Sequence, residues 1–343
     1  MTEQRQHLAE ISQIILSKES SPGALHQACF NLKLLLGNLA SQVPLEQGTT
    51  EGTQTNSGLA ISAEWAIKCI EDIFRTQAFC QGLYQAVLDK IAENPNKKIH
   101  VLYAGSGPFA TLMLPLTTQI SSEQVSFTLI EINDQSSQIV TSVLDALELN
   151  DYVAKIENSD ALDYEIAVPD QFDIIVCEAM QAGLKNEPQV AICYNLMNQL
   201  DDNTVMIPQE VALHLYLVND ELRSKYKLGI TTDELYYNDL GPAFVLNKET
   251  IKEHSELFKQ EYPEVEFPES QIELPKGAQR RYDSVMLNTN IQIYKDTILG
   301  TDDSGLTVLH LAISFKDSML RFKTLGAQYI SDRKPGLEFR VIN

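Results

Sequence analysis

Residues 97–110 read KKIHVLYAGSGPFA, an apolar run from Ile99 to Ala104 that stops at Gly105-Ser106-Gly107-Pro108. Such a run, rich in β-branched and aromatic residues, reads as a strand, and glycines at its end permit a tight turn and let a ligand approach the backbone. The following FATLMLPLTTQI predicts a helix, with Pro108 suited to the first helical position, where no N–H is needed. Strand, glycine turn and helix together form the context of a nucleotide-binding turn.

The same alternation continues downstream. VSFTLIEIN (125–133) predicts a second strand, SSQIVTSVLDALELN (136–150) an amphipathic helix, AKIENSDA (154–161) a third strand, FDIIVCEAM (172–180) a fourth and VAICYNLMNQL (190–200) another helix. Strands alternating with helices predict an α/β fold with a Rossmann-like, doubly wound parallel sheet. Upstream, the apolar spacing of residues 1–46 predicts two helices. GTTEGTQTNSG (48–58) has linker composition, and Ile61–Ile91 predicts one or two further helices. Beyond TVMIPQE the pattern becomes antiparallel β: VALHLYLVN (211–219), SVMLNTNIQIYKDTIL (284–299), GLTVLHLAISF (305–315), AQYISDR (327–333) and LEFRVIN (337–343). The expected organisation is an N-terminal helical region and linker (1–58), a Rossmann-like domain with its preceding helices (59–208) and a C-terminal antiparallel, barrel-like β domain (209–343). Within the last, 219–275 is acidic, less regular and expected to be an arm or insertion.

The 343 residues carry 26 Lys+Arg against 47 Asp+Glu, a formal net charge of −21. That balance excludes a nucleic-acid backbone or an anionic membrane surface as main partner, since both reward basic side chains, and it favours a cationic ligand. The opening MTEQRQHLAE lacks a signal peptide's basic flank and apolar core, so the cytoplasm is the expected location. The five cysteines include no C-x-x-C pair and read as buried thiols; neither a disulfide framework nor a metal site is expected.

Glu131 ends the second strand, where a carboxylate can accept from both hydroxyls of a ribose. Asp160-Ala161 follows the third strand on the side where an adenine would rest. Glycine turn and acid alone fit NAD as well as S-adenosyl-L-methionine. The fourth strand ends in Cys177-Glu178, with Glu187 after a short loop. Two carboxylates over one crevice disfavour a pyrophosphate and favour a cation.

Asp72-Ile73-Phe74-Arg75-Thr76, the turn Tyr103–Gly107, Glu131, and Glu178 nine positions before Glu187 together resemble the protein arginine methyltransferase family, class I enzymes that use S-adenosyl-L-methionine. The resemblance covers residues 60–210 by motif. It implies that Arg75 holds the cofactor's carboxylate, Glu131 its ribose, and that Glu178 and Glu187 grip an acceptor guanidinium; the cofactor-binding set is Arg75, Ala104, Gly105, Gly107, Glu131, Asp160, Ala161 and Glu178. It also implies a homodimer. The sequence departs from the family after the first glutamate, where Ala179-Met180-Gln181 replaces an aromatic, Met and Gly. Cys69 stands where a methionine would line the site, and the β domain has no Thr-His-Trp motif.

The expected activity is therefore methyl transfer to a guanidinium or related cationic nitrogen of a protein, peptide or small molecule. An NAD-linked oxidoreductase and a non-catalytic binding protein on the same fold are the rivals. Because 205–210 passes from the sheet straight into the first β-domain strand, that domain is expected to form one wall of the acceptor site.

Overall fold

The computed structural model describes residues 2–41, 43, 52–168, 171–230, 233–316 and 322–342. Helices α1 (Glu3–Leu16) and α2 (Pro22–Ala40) start at hydroxyl caps: Thr2 accepts from the Arg5 N–H and Ser21 from the Ala24 N–H, each at 3.3 Å. Their apolar faces, including Leu8, Ile15, Leu25, Leu32 and Leu36, are buried in the main core.

The stretch read as a linker ends in structure. β1 (Thr53–Thr55) and β2 (Gly58–Ala60) form an antiparallel hairpin. A two-stranded ribbon is marginal on its own. This one is fixed by tertiary bonds, Leu59 N–H to the Asn186 carbonyl at 2.6 Å and Gln54 Nε2 to the Arg333 carbonyl at 3.0 Å. A short helix α3 (Ala63–Lys68) then leads to α4 (Ile73–Glu93), capped by Asp72, whose Oδ1 accepts the Arg75 N–H at 3.2 Å.

Five parallel strands follow: β3 (Ile99–Ala104), β4 (Val125–Glu131), β5 (Val153–Asn158), β6 (Ile174–Cys177) and β7 (Val205–Ile207), in the order β5-β4-β3-β6-β7. Helices α5 (Asp134–Ala146) and α6 (Gln189–Met197) connect them. The chain winds one way from β3 through β5 and then returns to the other side of β3. The switch point therefore lies between β3 and β4 on one side and β6 on the other, at their carboxyl ends, where ligands bind in open α/β sheets.

The helix expected after the glycine turn is absent. Residues 107–113 form consecutive turns, and Leu114–Thr118 is a short 3₁₀ helix. Pro115 has no N–H to donate and crowds the preceding turn, and Ala110 takes φ 46°. The phenol of Tyr152 donates to the Thr117 and Ile120 carbonyls at 3.0 and 2.8 Å, replacing bonds that a continuing helix would supply.

The remaining described residues build two antiparallel sheets. β8 (Glu210–Val218), α7 (Asp220–Lys227), β9 (Tyr237–Asn247), α8 (Lys248–Glu253), α9 (Ser255–Glu261), β10 (Val265–Glu266), β11 (Ser270–Glu273), α10 (Ala278–Arg281), β12 (Ser284–Tyr294), β13 (Thr297–Leu299), β14 (His310–Ser314), β15 (Thr324–Ser331) and β16 (Gly336–Ile342) follow in order. One sheet runs β13-β12-β8-β9 with β14 also on β12; the other runs β10-β15-β11 with β16 on β15. The segment 219–275 is thus no single arm. β9 pairs along β8, and α9 packs under α6, where the rings of Tyr194 and Phe258 stack at 4.8 Å. Among the described residues no helix is long and apolar enough to cross a membrane.

Candidate functional site

The turn after β3 is shaped by its two glycines. Gly105 and Gly107 take φ 70° and 65°, values that a side chain resists. The N–H groups of Gly105 and Ser106 both donate to the Ile130 carbonyl, at 3.0 and 3.2 Å, pinning the turn to the end of β4. Gly107 N–H donates to Glu131 Oε2 at 2.8 Å and Asn133 N–H to Oε1 at 2.8 Å. Glu131 is buried, and burial raises its carboxyl above the usual range against the pull of these N–H donors.

An open cavity, about 1060 Å³ including the solvent at its mouth, lies over the carboxyl ends of β3, β4, β5 and β6. It is lined by Arg75, Gly105, Gly107, Glu131, Asp160, Ala161, Glu178 and Glu187. Eight of the nine residues singled out from the sequence therefore meet in one place. Ala104 does not line the cavity; it is the last residue of β3 and fully buried in the sheet.

Arg75, in the first turn of α4, is hydrogen-bonded and ion-paired to Glu178. Burial works against the Arg75 charge, but Glu178 beside it more than offsets this and the guanidinium stays protonated. Burial likewise raises Glu178, with Arg75 opposing. Glu187, 6% exposed, is pushed up to about 7 by burial and then by the Glu178 charge, with Arg75 and Gln181 opposing. The three side chains are electrostatically coupled, Arg75 holding both acids down while Glu178 pushes Glu187 up.

Sequence reasoning missed Gln189, which is fully buried behind Glu178. Its Oε1 accepts the Ala179 N–H at 2.8 Å and its Nε2 donates to the Cys177 carbonyl at 2.9 Å, so one amide grips the backbone on both sides of Glu178. A glutamine two positions after an acid carries no sequence signal for this.

The loop carrying Glu187 is held from both sides. Gly183 N–H donates to Thr289 Oγ1 at 2.8 Å, the Tyr329 phenol to the Leu184 carbonyl at 2.8 Å, and Asn186 N–H to the Pro335 carbonyl at 3.0 Å. On the other face Gly58, at φ 140°, lies so close that a Cβ there would sit 2.8 Å from the Asn186 carbonyl oxygen. Leu184 and Asn186 take φ 51° and 64°, strain that these contacts sustain.

Among the described residues none beyond Ile192 lines this cavity, so the antiparallel sheets contribute no residue to it. They act from behind, through the bonds to the acid loop and through Asp72, whose Oδ2 accepts from the Ser304 hydroxyl at 2.7 Å and the Gly305 N–H at 2.8 Å. Cys69 does line the cavity, its thiol pushed up to about 11 by burial. Cys29, Cys80, Cys177 and Cys193 are buried elsewhere, as free thiols.

No family model matches the sequence, and no curated protein does. Solved structures do match in fold. The PRMT6–SAH crystal structure aligns with a TM-score of 0.55 at 12% identity, covering 82% of this chain and all of that one. The Trypanosoma brucei PRMT1 enzyme–prozyme complex with AdoHcy aligns at 0.49 and 12%, covering 82% and 93%, and Arabidopsis thaliana protein arginine methyltransferase 10 at 0.46 and 10%, covering 79% and 96%. The parallel sheet, N-terminal helices and C-terminal antiparallel sheets are those of a fold like that of the protein arginine methyltransferases.

Proposed function

We propose that the chain is an S-adenosyl-L-methionine-dependent methyltransferase acting on a cationic nitrogen, a guanidinium or a close relative, of a protein, peptide or small molecule. The observation that carries this reading is the cluster of Arg75, Glu178 and Glu187 in the same cavity as the glycine turn and Glu131. The lining fits such a cofactor. The turn faces open space, an added Cβ at Gly105 or Gly107 coming no nearer than 3.6 Å to another residue. Arg75 has five N–H donors, of which one is bonded to Glu178, so a carboxylate can be held by others. Glu131 accepts N–H groups from Gly107, Asn133 and Ile132, and its two oxygens still have lone-pair capacity for a ribose hydroxyl.

When bound, S-adenosyl-L-methionine supplies an electrophilic methyl group on a sulfonium. The protein's part is then placement. Arg75 and Glu131 fix the cofactor's two ends. Glu178 and Glu187 hold the acceptor bidentately, which localises charge on the nitrogens they touch and leaves the third nitrogen more nucleophilic. As that nitrogen gains the methyl it must release a proton. A Glu187 carboxylate, its pKa pushed up to about 7, is matched to take it at neutral pH.

Calorimetry with S-adenosylmethionine, S-adenosylhomocysteine and NAD, followed by methyl transfer to a panel of guanidines, amines and arginine-containing peptides, tests the proposal. Binding of NAD alone would overturn it. A homodimer belongs to the same proposal, supported by the exposed apolar side chains of Tyr226, Leu228, Ile230 and Leu235, and light scattering checks it.

A further inference from the structure

Glu178 is aimed from behind the cavity. Gln189, the first residue of α6, is fully buried, and all four hydrogen-bonding positions of its carboxamide are filled. Nε2 donates to the Cys177 carbonyl at 2.9 Å and to Cys193 Sγ at 3.5 Å. Oε1 accepts the Ala179 N–H at 2.8 Å and the Cys177 thiol at 3.4 Å. Only one orientation of the amide works, since turning it over sets N–H against N–H and oxygen against oxygen.

The two backbone groups held in this way flank a single Cα. The Cys177 carbonyl belongs to the peptide unit just before Glu178, and the Ala179 N–H to the unit just after it. Peptide units are rigid planes, so fixing both fixes φ and ψ of Glu178 and the direction in which its side chain leaves the backbone. Neither neighbouring strand can do this instead. β3 ends at Ala104, opposite Cys177, and the next two N–H groups, of Gly105 and Ser106, are both spent on the Ile130 carbonyl. β7 ends at Ile207, opposite Val176, and Pro208 after it has no N–H to offer. One side-chain amide takes the place of the missing ladder partner.

We infer that Gln189 is a positioning residue, a role that rests on the methyltransferase reading proposed above: it aims the Glu178 carboxylate at the acceptor and, two residues after Glu187, sets the second acid relative to the first. An apolar side chain of the same length would fill the space yet leave both peptide units free to turn. Glu178 would then keep its charge and lose its aim. The glycine turn and Glu131, read as the cofactor's anchors, stand at the ends of β3 and β4, and none of the four bonds reaches them.

The experiment compares wild type, Gln189→Met and Gln189→Glu in methyl transfer to free arginine and to an arginine-containing peptide, each well below its own melting temperature. Calorimetric titration of S-adenosylhomocysteine runs alongside. Gln189→Met should lower kcat by roughly thirty- to a hundredfold, while cofactor affinity stays within about threefold of wild type. In Gln189→Glu the new carboxyl keeps the shape, and at about pH 6 burial holds it protonated, with one O–H for the Cys177 carbonyl and one oxygen for the Ala179 N–H. Its kcat there should exceed that of Gln189→Met by about fivefold or more, and relative to wild type should fall by a similar factor towards about pH 9, as ionisation removes the donor. Gln189→Met within about threefold of wild type in kcat, or a loss of cofactor affinity as large as the loss of kcat, would overturn the inference. So would a Gln189→Glu ratio to wild type that stays constant with pH, which carries the test alone if Gln189→Met fails to fold. These outcomes leave the cofactor and acceptor readings standing. A wild type that binds no S-adenosylhomocysteine, or binds it and methylates neither acceptor, would instead overturn the proposed function and, with it, the role of Gln189.

Discussion

Arg75 and Glu178 stand 103 residues apart in the chain and share one buried, hydrogen-bonded ion pair, from the start of α4 and the end of β6. The side chain read as an anchor for the cofactor's carboxylate is thereby joined to one read as an anchor for the acceptor. Any change at Glu178 is felt at Arg75, and in the proposed reaction the two binding events share a charge.

For the paired acids, Glu178→Gln and Glu187→Gln should lower kcat/KM by roughly thirtyfold to several thousandfold, as expected when one partner of a desolvated ion pair is lost. Glu187→Gln should leave S-adenosylhomocysteine affinity near wild type. Glu178→Gln should raise it or leave it unchanged, because Arg75 gives up its internal partner. Turnover and calorimetry run side by side decide this, and near-wild-type turnover in both variants would move the acceptor site elsewhere.

The pH dependence follows from Glu187, whose carboxyl moves from an ordinary 4.5 to about 7 on folding. A raised carboxyl pKa means that the folded state holds its proton longer than the unfolded state. Its contribution to stability is thus fully present below pH 4.5 and is lost as pH rises through 7. Glu187→Gln should therefore be more stable than wild type at pH 8–9, by up to the order of 3 kcal/mol, and should converge with it near pH 4. Wild-type kcat/KM should run the other way, rising with pH through about 7 as the carboxylate forms. Urea denaturation and initial rates across this range give both curves; a flat stability difference would show that Glu187 is not raised.

At the ribose end, Glu131→Ala should weaken S-adenosylhomocysteine by roughly ten- to hundredfold through the loss of charge-assisted contacts. It also removes the acceptor of the Gly107 N–H, so Glu131→Gln, which keeps the shape and an acceptor oxygen, separates ribose contact from turn geometry. Calorimetry on the folded variants is the check, and unchanged affinity in both would refute the placement.

Asp72 should matter more to stability than a surface helix cap. It accepts from the Arg75 N–H, the Ser304 hydroxyl and the Gly305 N–H, tying the first turn of α4 to the antiparallel half. Asp72→Ala should cost about 2–4 kcal/mol, against about 1 for a cap alone. Ser304→Ala, which removes one of the three, should cost less, and denaturant melts of the two variants rank them.

The parallel half was legible because its strands are near-continuous apolar runs and its helices are amphipathic, so period alone separates Val125–Glu131 from Asp134–Ala146. Glu131, Asp160 and Glu178 were legible because they lie at or just past strand ends, and Glu187 because of its spacing from Glu178. What misled was local: FATLMLPLTTQI is apolar enough for a helix, but Pro115 interrupts the N–H ladder, and a phenol from Tyr152 supplies bonds that no local pattern reveals. The hairpin at 53–60 was hidden by polar composition, because its strands are fixed by single bonds to Asn186 and Arg333 rather than by apolar burial along their length. The bonds from the antiparallel half to the acid loop were hidden for a similar reason. Thr289, Tyr329 and Pro335 touch the acid loop from behind, and contacts made across more than a hundred residues leave no periodicity to read.

Those same long contacts set the order in which the molecule becomes competent. The parallel sheet is complete by β7, while the loop bearing Glu187 still waits for Tyr329 and Pro335. As the chain leaves the ribosome, the glycine turn and Glu131 can be in place well before the second acid is locked in position. Until then the loop's left-handed residues, Leu184 and Asn186, lack two of the bonds that hold them.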